Sequence, residues 1–223
     1  LMADCAGNMT LGNKNALLIS QKDEEWLDKR IEESEAKHLA FIPSHPFGYT
    51  AGKWREWYPD VVAEEGAQGT VVNELLSGRR GSLTVNANKY LWQEGWFLQH
   101  QRLLQSLANR KGSRFIFSGD IHAIGATSIT RSGSLKLENE LKSFLVGPIS
   151  SSTGTWPSFA RGIAADNPSY LVCESIYSTR EENGFTFFNI DNKQAFAEII
   201  SCGGNNPENG ETGEILSSEK FFI

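Results

Sequence analysis

The chain uses one plan twice: an amphipathic helix, a short apolar run, and a histidine just past that run's carboxyl end. The first copy is a helix expected from about Gln21 to Lys37, then Leu39-Ala-Phe-Ile42, Pro43 and Ser44-His45-Pro46. The second is a helix expected from Trp92 to Asn109, then Phe115-Ile-Phe117, Ser118-Gly119 and Asp120-Ile-His122. Apolar runs this short, without polar interruption, read as strands buried on both faces. Two such units lying parallel in one sheet bring His45 and His122 to the same edge, where open α/β sheets hold their ligands. Side chains two positions apart on an extended segment point the same way, so Asp120 and His122 are expected to aim at one point in space. Carboxylate oxygen with imidazole nitrogen suits zinc, manganese or iron.

Local signals set the helices. Ser20 and Asp23 have the spacing of a capping pair, and Trp26, Leu27, Ile31 and Ser34 follow at near-helical intervals. In the second helix the apolar face is drawn through Phe97, Leu98, Leu104 and Leu107, with Gly112 as the stop. Between the two units, residues 47–89 have weak periodicity and a dense aromatic cluster, Tyr49, Trp54, Trp57 and Tyr58, with Lys53 and Arg55 among them. An insertion of this length between core elements is expected to be an ordered, lid-like segment. Its aromatic faces and Arg55 make Tyr49, Trp54, Arg55, Trp57 and Tyr58 candidate substrate contacts. The competing reading is that the cluster is simply core.

After Ala123 the texture becomes β-rich, with strands expected at Phe144-Leu-Val146, Tyr170-Leu-Val-Cys173, Phe185-Thr-Phe-Phe188 and Gln194–Cys202. Asn183-Gly184 has the composition of a hairpin turn joining the second and third of these. Gly147-Pro148 and Trp156-Pro157 suggest a structured loop close behind the site. Residues 1–202 are read as one domain and 203–223 as a loop and tail, with Phe221 and Phe222 docking the tail. Leu1-Met-Ala-Asp4 reads as the end of a strand, so an amino-terminal part of the same domain is expected to precede it.

Composition narrows the function classes. At 223 residues the chain can bury one sizeable core. Its net charge of -6 argues against a nucleic-acid backbone as main partner, since such footprints are usually basic. No run approaches the roughly 20 apolar residues of a membrane span. Cys5, Cys173 and Cys202 are widely spaced, which suggests neither a disulfide framework nor a thiolate zinc site.

Taken together, the helix with Trp26-Leu27 near its start, the strand ending in His45-Pro46, the long insertion, and Gly119-Asp-Ile-His122 after a strand resemble the carboxyl-terminal half of a calcineurin-like metallophosphoesterase. Ser118-Gly-Asp-Ile-His122 and Lys53-Trp-Arg-Glu-Trp-Tyr-Pro59 are most similar to the alkaline phosphatase D (PhoD-like) branch. The resemblance implies an α/β fold in which a two-sheet β sandwich is flanked by helices in four layers. It implies two metal ions, divalent or of mixed valence, drawn from Zn, Mn, Fe or Ca. Their ligands here would be His45, Asp120 and His122, with Asp120 either a direct ligand or an orienting group behind one. The family's remaining ligand motifs, Asp-x-His, Gly-Asp-x-x-Asp and Gly-Asn-His-Asp/Glu, do not occur in this sequence.

The implied activity is hydrolysis of a small phosphate ester, as phosphatase or phosphodiesterase, by hydroxide made on a two-metal site. Beyond the metal ligands no catalytic residue is assignable. A truncated or degenerate member serving as a binding or structural module is the alternative, and a sugar- or lipid-binding module built on the aromatic insertion a further one. Family members are often exported, but the residues themselves leave the compartment open. His38 is expected in solvent and His100 in packing or at the surface; Arg79, Arg80 and Arg161 are phosphate candidates by charge alone.

Overall fold

The computed structural model describes residues 1–5, 10, 13–49, 94–161, 164–167, 171–191, 194–202 and 215–222. A two-residue strand β1 (Met2–Ala3) opens the fold, followed by α1 (Gln21–Glu33), β2 (His38–Pro43), α2 (Glu94–Asn109) and β3 (Ser113–Ser118). The chain then runs through β4 (Ile124–Ser132), β5 (Leu135–Val146), the short helix α3 (Pro157–Arg161) and β6 (Leu171–Arg180). Last come β7 (Asn183–Ile190), β8 (Ala195–Cys202) and β9 (Ile215–Phe222).

The strands form a six-stranded sheet of order β1-β2-β3-β5-β4-β6 and a three-stranded sheet of order β7-β8-β9. Strands β1, β2, β3 and β5 run parallel, with Phe41 opposite Ile116 and Phe117 opposite Phe144, whereas β4 is antiparallel to both its neighbours. The two helix-strand units therefore end at one edge, as the repeated plan requires.

Strand β3 buries Phe115 and Ile116 on opposite faces, whereas β2 buries only the face of Leu39, Phe41 and Pro43 and leaves Ile42 38% exposed, so its apolar run is not buried on both faces as expected. Leu39, Phe41 and Ile116 face the helices and pack with Leu27, Ile31, Leu103, Leu104 and Leu107. Phe115 points the other way, where Phe144, Tyr177, Ala197 and Ile199 close the space between the sheets. Phe117 and Phe188 meet across that gap with ring centroids 4.2 Å apart. Both long helices cover the same face of the large sheet, so helices, large sheet and small sheet form three layers among the described residues, as a part of the expected two-sheet fold. No described helix is long and apolar enough to cross a membrane.

Ser20 caps α1 as its spacing predicts: the hydroxyl accepts from the Asp23 amide at 3.1 Å and donates to the Asp23 carboxylate at 2.6 Å. The helix stops at Glu33 instead of Lys37 because Ser34 already has extended backbone angles. In α2 the buried face is Trp96, Gln99, His100, Leu103, Leu104, Leu107 and Ala108, a regular three-four alternation. Leu98, expected on that face, is 41% exposed. Its place is taken by a histidine and a glutamine, polar residues that an apolar template passes over.

Strand β4 and most of β5 are longer than the apolar run at 144–146 suggests. They form a hairpin whose turn includes Gly133 at φ 57°. The expected hairpin at Asn183-Gly184 does not form: β6 pairs with β4, β7 pairs with β8, and the two residues lie inside β7. Gly184 is needed there for closeness, since a Cβ would stand 2.4 Å from the Ile200 carbonyl oxygen. Residues Ile215–Phe222, expected within a tail, are instead a strand paired with β8, and Phe222 is 77% exposed rather than docked.

Candidate metal centre

Strand β2 delivers His45 into a segment that is fastened on both sides. The Ser44 amide donates to the Ala3 carbonyl at 2.9 Å, and its hydroxyl accepts from the Cys5 amide at 2.8 Å, which ties the start of the loop to β1. Beyond the histidine, Phe47 packs edge-on to Phe41 and against His100, and its carbonyl accepts from the Ser143 hydroxyl. Gly48, at φ 108°, accepts at its carbonyl from Nδ2 of the Asn167 side chain at 2.7 Å. His45 is held 7% exposed between these anchors.

From β3 the chain does not continue extended through Asp120, as the spacing alone would require. It makes two successive three-residue turns: the Ile121 amide donates to the Gly119 carbonyl at 2.8 Å, and the Ala123 amide to the Ile121 carbonyl at 2.7 Å. Asp120 sits at the centre of the first with φ 66°, the one non-glycine residue with positive φ among those described. Aspartate tolerates that region better than most residues, at a cost of order 1 kcal/mol or more. The turn breaks the extended geometry on which a common direction for Asp120 and His122 was expected. Asp120 turns to His45, with Oδ2 and Nδ1 4.0 Å apart, while His122 places Nδ1 3.1 Å from the Thr155 carbonyl oxygen. A carbonyl only accepts, so a hydrogen bond here requires the proton on Nδ1, which in the neutral ring leaves the Nε2 lone pair bare. That is the arrangement in which a histidine binds a metal through Nε2 with a carbonyl fixing the ring from behind.

Tyr49, read as a substrate contact, is core. It is 1% exposed among Ile121, Ala123, Leu145 and Ala165, its hydroxyl directed at the Ser143 carbonyl at 3.5 Å, and burial pushes that hydroxyl's pKa well up. Trp54, Arg55, Trp57 and Tyr58, with Lys53, Arg79 and Arg80 and the rest of the expected lid from 50 to 89, lie outside the described residues. His38 is not simply solvated: Nε2 lies 2.8 Å from the Asp191 carbonyl oxygen, and the ring stacks near Phe115. His100 is a core histidine, fully buried, and burial lowers its pKa to about 3.

The structured loop expected at 147–157 is present, and the residues that fasten it were missed. The Asn183 side chain bonds both backbone groups of Ser151, at 2.6 and 3.1 Å, and the Glu181 carboxylate accepts from the Ser158 and Ala165 amides at 3.0 and 3.2 Å. Pro157 at a helix start was a usable signal for the second of these. Asn183 gave none, because next to glycine it has the composition of a turn.

The donor chemistry of His45, Asp120 and His122 fits a borderline divalent cation. Their number does not complete a site, since no group of three or more His, Cys, Asp or Glu able to hold a metal occurs among the described residues. A catalytic zinc normally takes three protein ligands, and the close pair His45–Asp120 supplies two.

No protein-family model matches the chain, and no curated protein sequence does. A solved structure described as "Structure of PhoD" superposes with a TM-score of 0.50 at 13% identity, covering 96% of this chain and 36% of that one. The chain thus spans about a third of that protein's length. At this identity the likeness shows the fold alone: an α/β arrangement of two packed sheets with helices, similar to part of PhoD.

Proposed function

We propose that this chain forms part of a metal-dependent phosphoric-ester hydrolase, a phosphatase or phosphodiesterase, with His45, Asp120 and His122 in the ligand set of a two-metal site. The observation that carries the reading is the approach of Asp120 to His45 at the shared carboxyl edge of β2 and β3, in a fold similar to part of PhoD. Metal ions held there would supply the positive charge for activating water and neutralising the attacking and leaving oxygens of a phosphoryl group. His122 offers Nε2 with its ring held from behind by the Thr155 carbonyl, and His45 offers an imidazole 7% exposed in a loop fastened on both sides. Asp120 brings negative charge to the same edge, which favours a cation there. The remaining ligands would come from the protein outside these residues, and a small phosphate ester would be the substrate.

The test is metal analysis of the purified protein that carries this chain, combined with hydrolysis of a chromogenic phosphodiester. Chelation should abolish turnover, and His45→Ala or His122→Ala should each lower metal content and reduce kcat/KM by about 100-fold or more, at least the loss seen when a supporting residue is removed. Full activity in both variants would refute the assignment.

A non-catalytic binding or structural module on the same fold is favoured by the absence of a three-donor cluster among the described residues. It requires that the folded protein, supplied with Zn, Mn, Fe or Ca, hydrolyse no phosphate ester.

A further inference from the structure

We infer that Asn183, on the small sheet, is a positioning residue for His122 on the large one, acting through the backbone of the loop between Gly147 and Trp156. The value of this to chemistry rests on His122 being a metal ligand; the geometry does not.

Asn183 is 5% exposed at the first position of β7, a place where an apolar residue would pack without polar cost. Its amide instead completes a two-way bond with one residue of another element: Oδ1 accepts from the Ser151 amide at 2.6 Å, and Nδ2 donates to the Ser151 carbonyl at 3.1 Å. Next to it the Gly184 amide donates to the Pro148 carbonyl at 2.8 Å. The backbones meet with no room for side chains, since a Cβ on Gly147 would lie 2.8 Å from the Gly184 carbonyl oxygen. Three hydrogen bonds from β7 thus fix residues 148–151.

From Ser152 to Trp156 the backbone closes into a turn that carries this position forward. The Ser152 carbonyl accepts from the Thr155 amide at 2.9 Å and the Thr155 hydroxyl at 2.7 Å, and the Trp156 amide returns to the Thr153 carbonyl at 3.2 Å. The product is the Thr155 carbonyl, aimed at Nδ1 of His122. Downstream, Glu181 holds the Ser158 amide, so the two ends of the turn are fastened from one crossover between the sheets. Without the Asn183 clamp the upstream end of the turn is tied to β7 only through the Gly184–Pro148 bond, and the Thr155 carbonyl is held less firmly. A solvated neutral histidine side chain prefers its proton on Nε2, the nitrogen that a metal would need bare.

The test reads the tautomer directly in metal-free protein. Nitrogen-15 histidine labelling with long-range proton-nitrogen correlation at about pH 8.5, above the usual imidazole range, assigns each ring, His122→Gln identifying the His122 signals. The wild-type chain should show His122 protonated on Nδ1. Asn183→Ala, which removes both bonds to Ser151, should move it mainly to Nε2 while His38 and His100 keep their signals. If that variant does not fold, Asn183→Asp decides: it keeps the acceptor for the Ser151 amide, loses the donor to its carbonyl, and should raise the Nε2-protonated fraction measurably. A wild-type His122 protonated on Nε2, or an unchanged tautomer in a folded variant with only a lower melting temperature, would overturn the inference. Failure of the metal reading would appear elsewhere, as unaltered metal content and turnover in His122→Gln, with the tautomer result standing.

Discussion

Gln99 has no exposed surface, and its amide ties α2 to residues 18–24, far earlier in the sequence. Oε1 accepts from the Leu18 and Ile19 amides at 2.5 and 3.1 Å, while Nε2 donates to the Ile19 carbonyl at 3.1 Å and to Glu24 at 2.8 Å. Glu24 in turn receives Arg102 through two bonds, at 2.6 and 2.9 Å. Gln99→Leu keeps the volume but leaves two buried amides without an acceptor, so we expect a loss of about 2–4 kcal/mol in urea unfolding. His100, one position on, sets a pH dependence. Burial holds its pKa near 3, so below the unfolded value of about 6.5 the unfolded chain binds a proton that the folded chain refuses. Stability is therefore fully present above about pH 6.5 and falls toward pH 3, with a slope approaching about 1.4 kcal/mol per pH unit from this group. His100→Phe should remove that slope in urea titrations between about pH 7 and pH 4. The sequence singled out His45, Asp120 and His122 as candidates because each follows an apolar run at a strand's carboxyl end. Gln99 and Asn183 were not legible, since a buried amide is recognised only by the backbone it serves.

Among the elements, α2 is seated by a glycine. A Cβ on Gly95 would lie 2.3 and 2.6 Å from the Ala16 carbonyl oxygen and amide nitrogen, and 2.7 Å from the Lys14 carbonyl oxygen. These are backbone atoms, which cannot swing aside. Gly95→Ala, helpful in an ordinary helix, is therefore expected to cost about 1–3 kcal/mol or more here, the range for overpacking, and thermal unfolding would register it. The Trp96 indole donates to the Thr10 carbonyl at 2.8 Å, so the same segment would be displaced with it. Helices and parallel strands were readable because cap spacing and unbroken apolar runs are local properties. The long β4–β5 hairpin and the fate of Asn183-Gly184 were not, because strand partners are chosen across the chain. Gly184 marks contact between β7 and β8, and no short window of sequence separates that from a turn.

On the scale of the whole molecule, the large sheet is wedged between two helices and a three-stranded sheet, and its carboxyl edge carries the candidate ligands. With two donors close together and no three-donor cluster among the described residues, this chain produced by itself should bind zinc weakly and hydrolyse phosphate esters poorly. Titration calorimetry with zinc would check the first expectation, and tight stoichiometric binding would contradict it. The central claim is that one edge of the sheet holds metal through His45, Asp120 and His122. Its most direct test is metal-edge anomalous diffraction from crystals of the protein carrying this chain, purified with its metals. The account predicts anomalous peaks within about 2.0–2.2 Å of a ring nitrogen of His45 and of Nε2 of His122, with Asp120 bound or hydrogen-bonded beside them. Peaks confined to another part of the protein, with His45 and Asp120 still facing each other across an edge without metal, would contradict it.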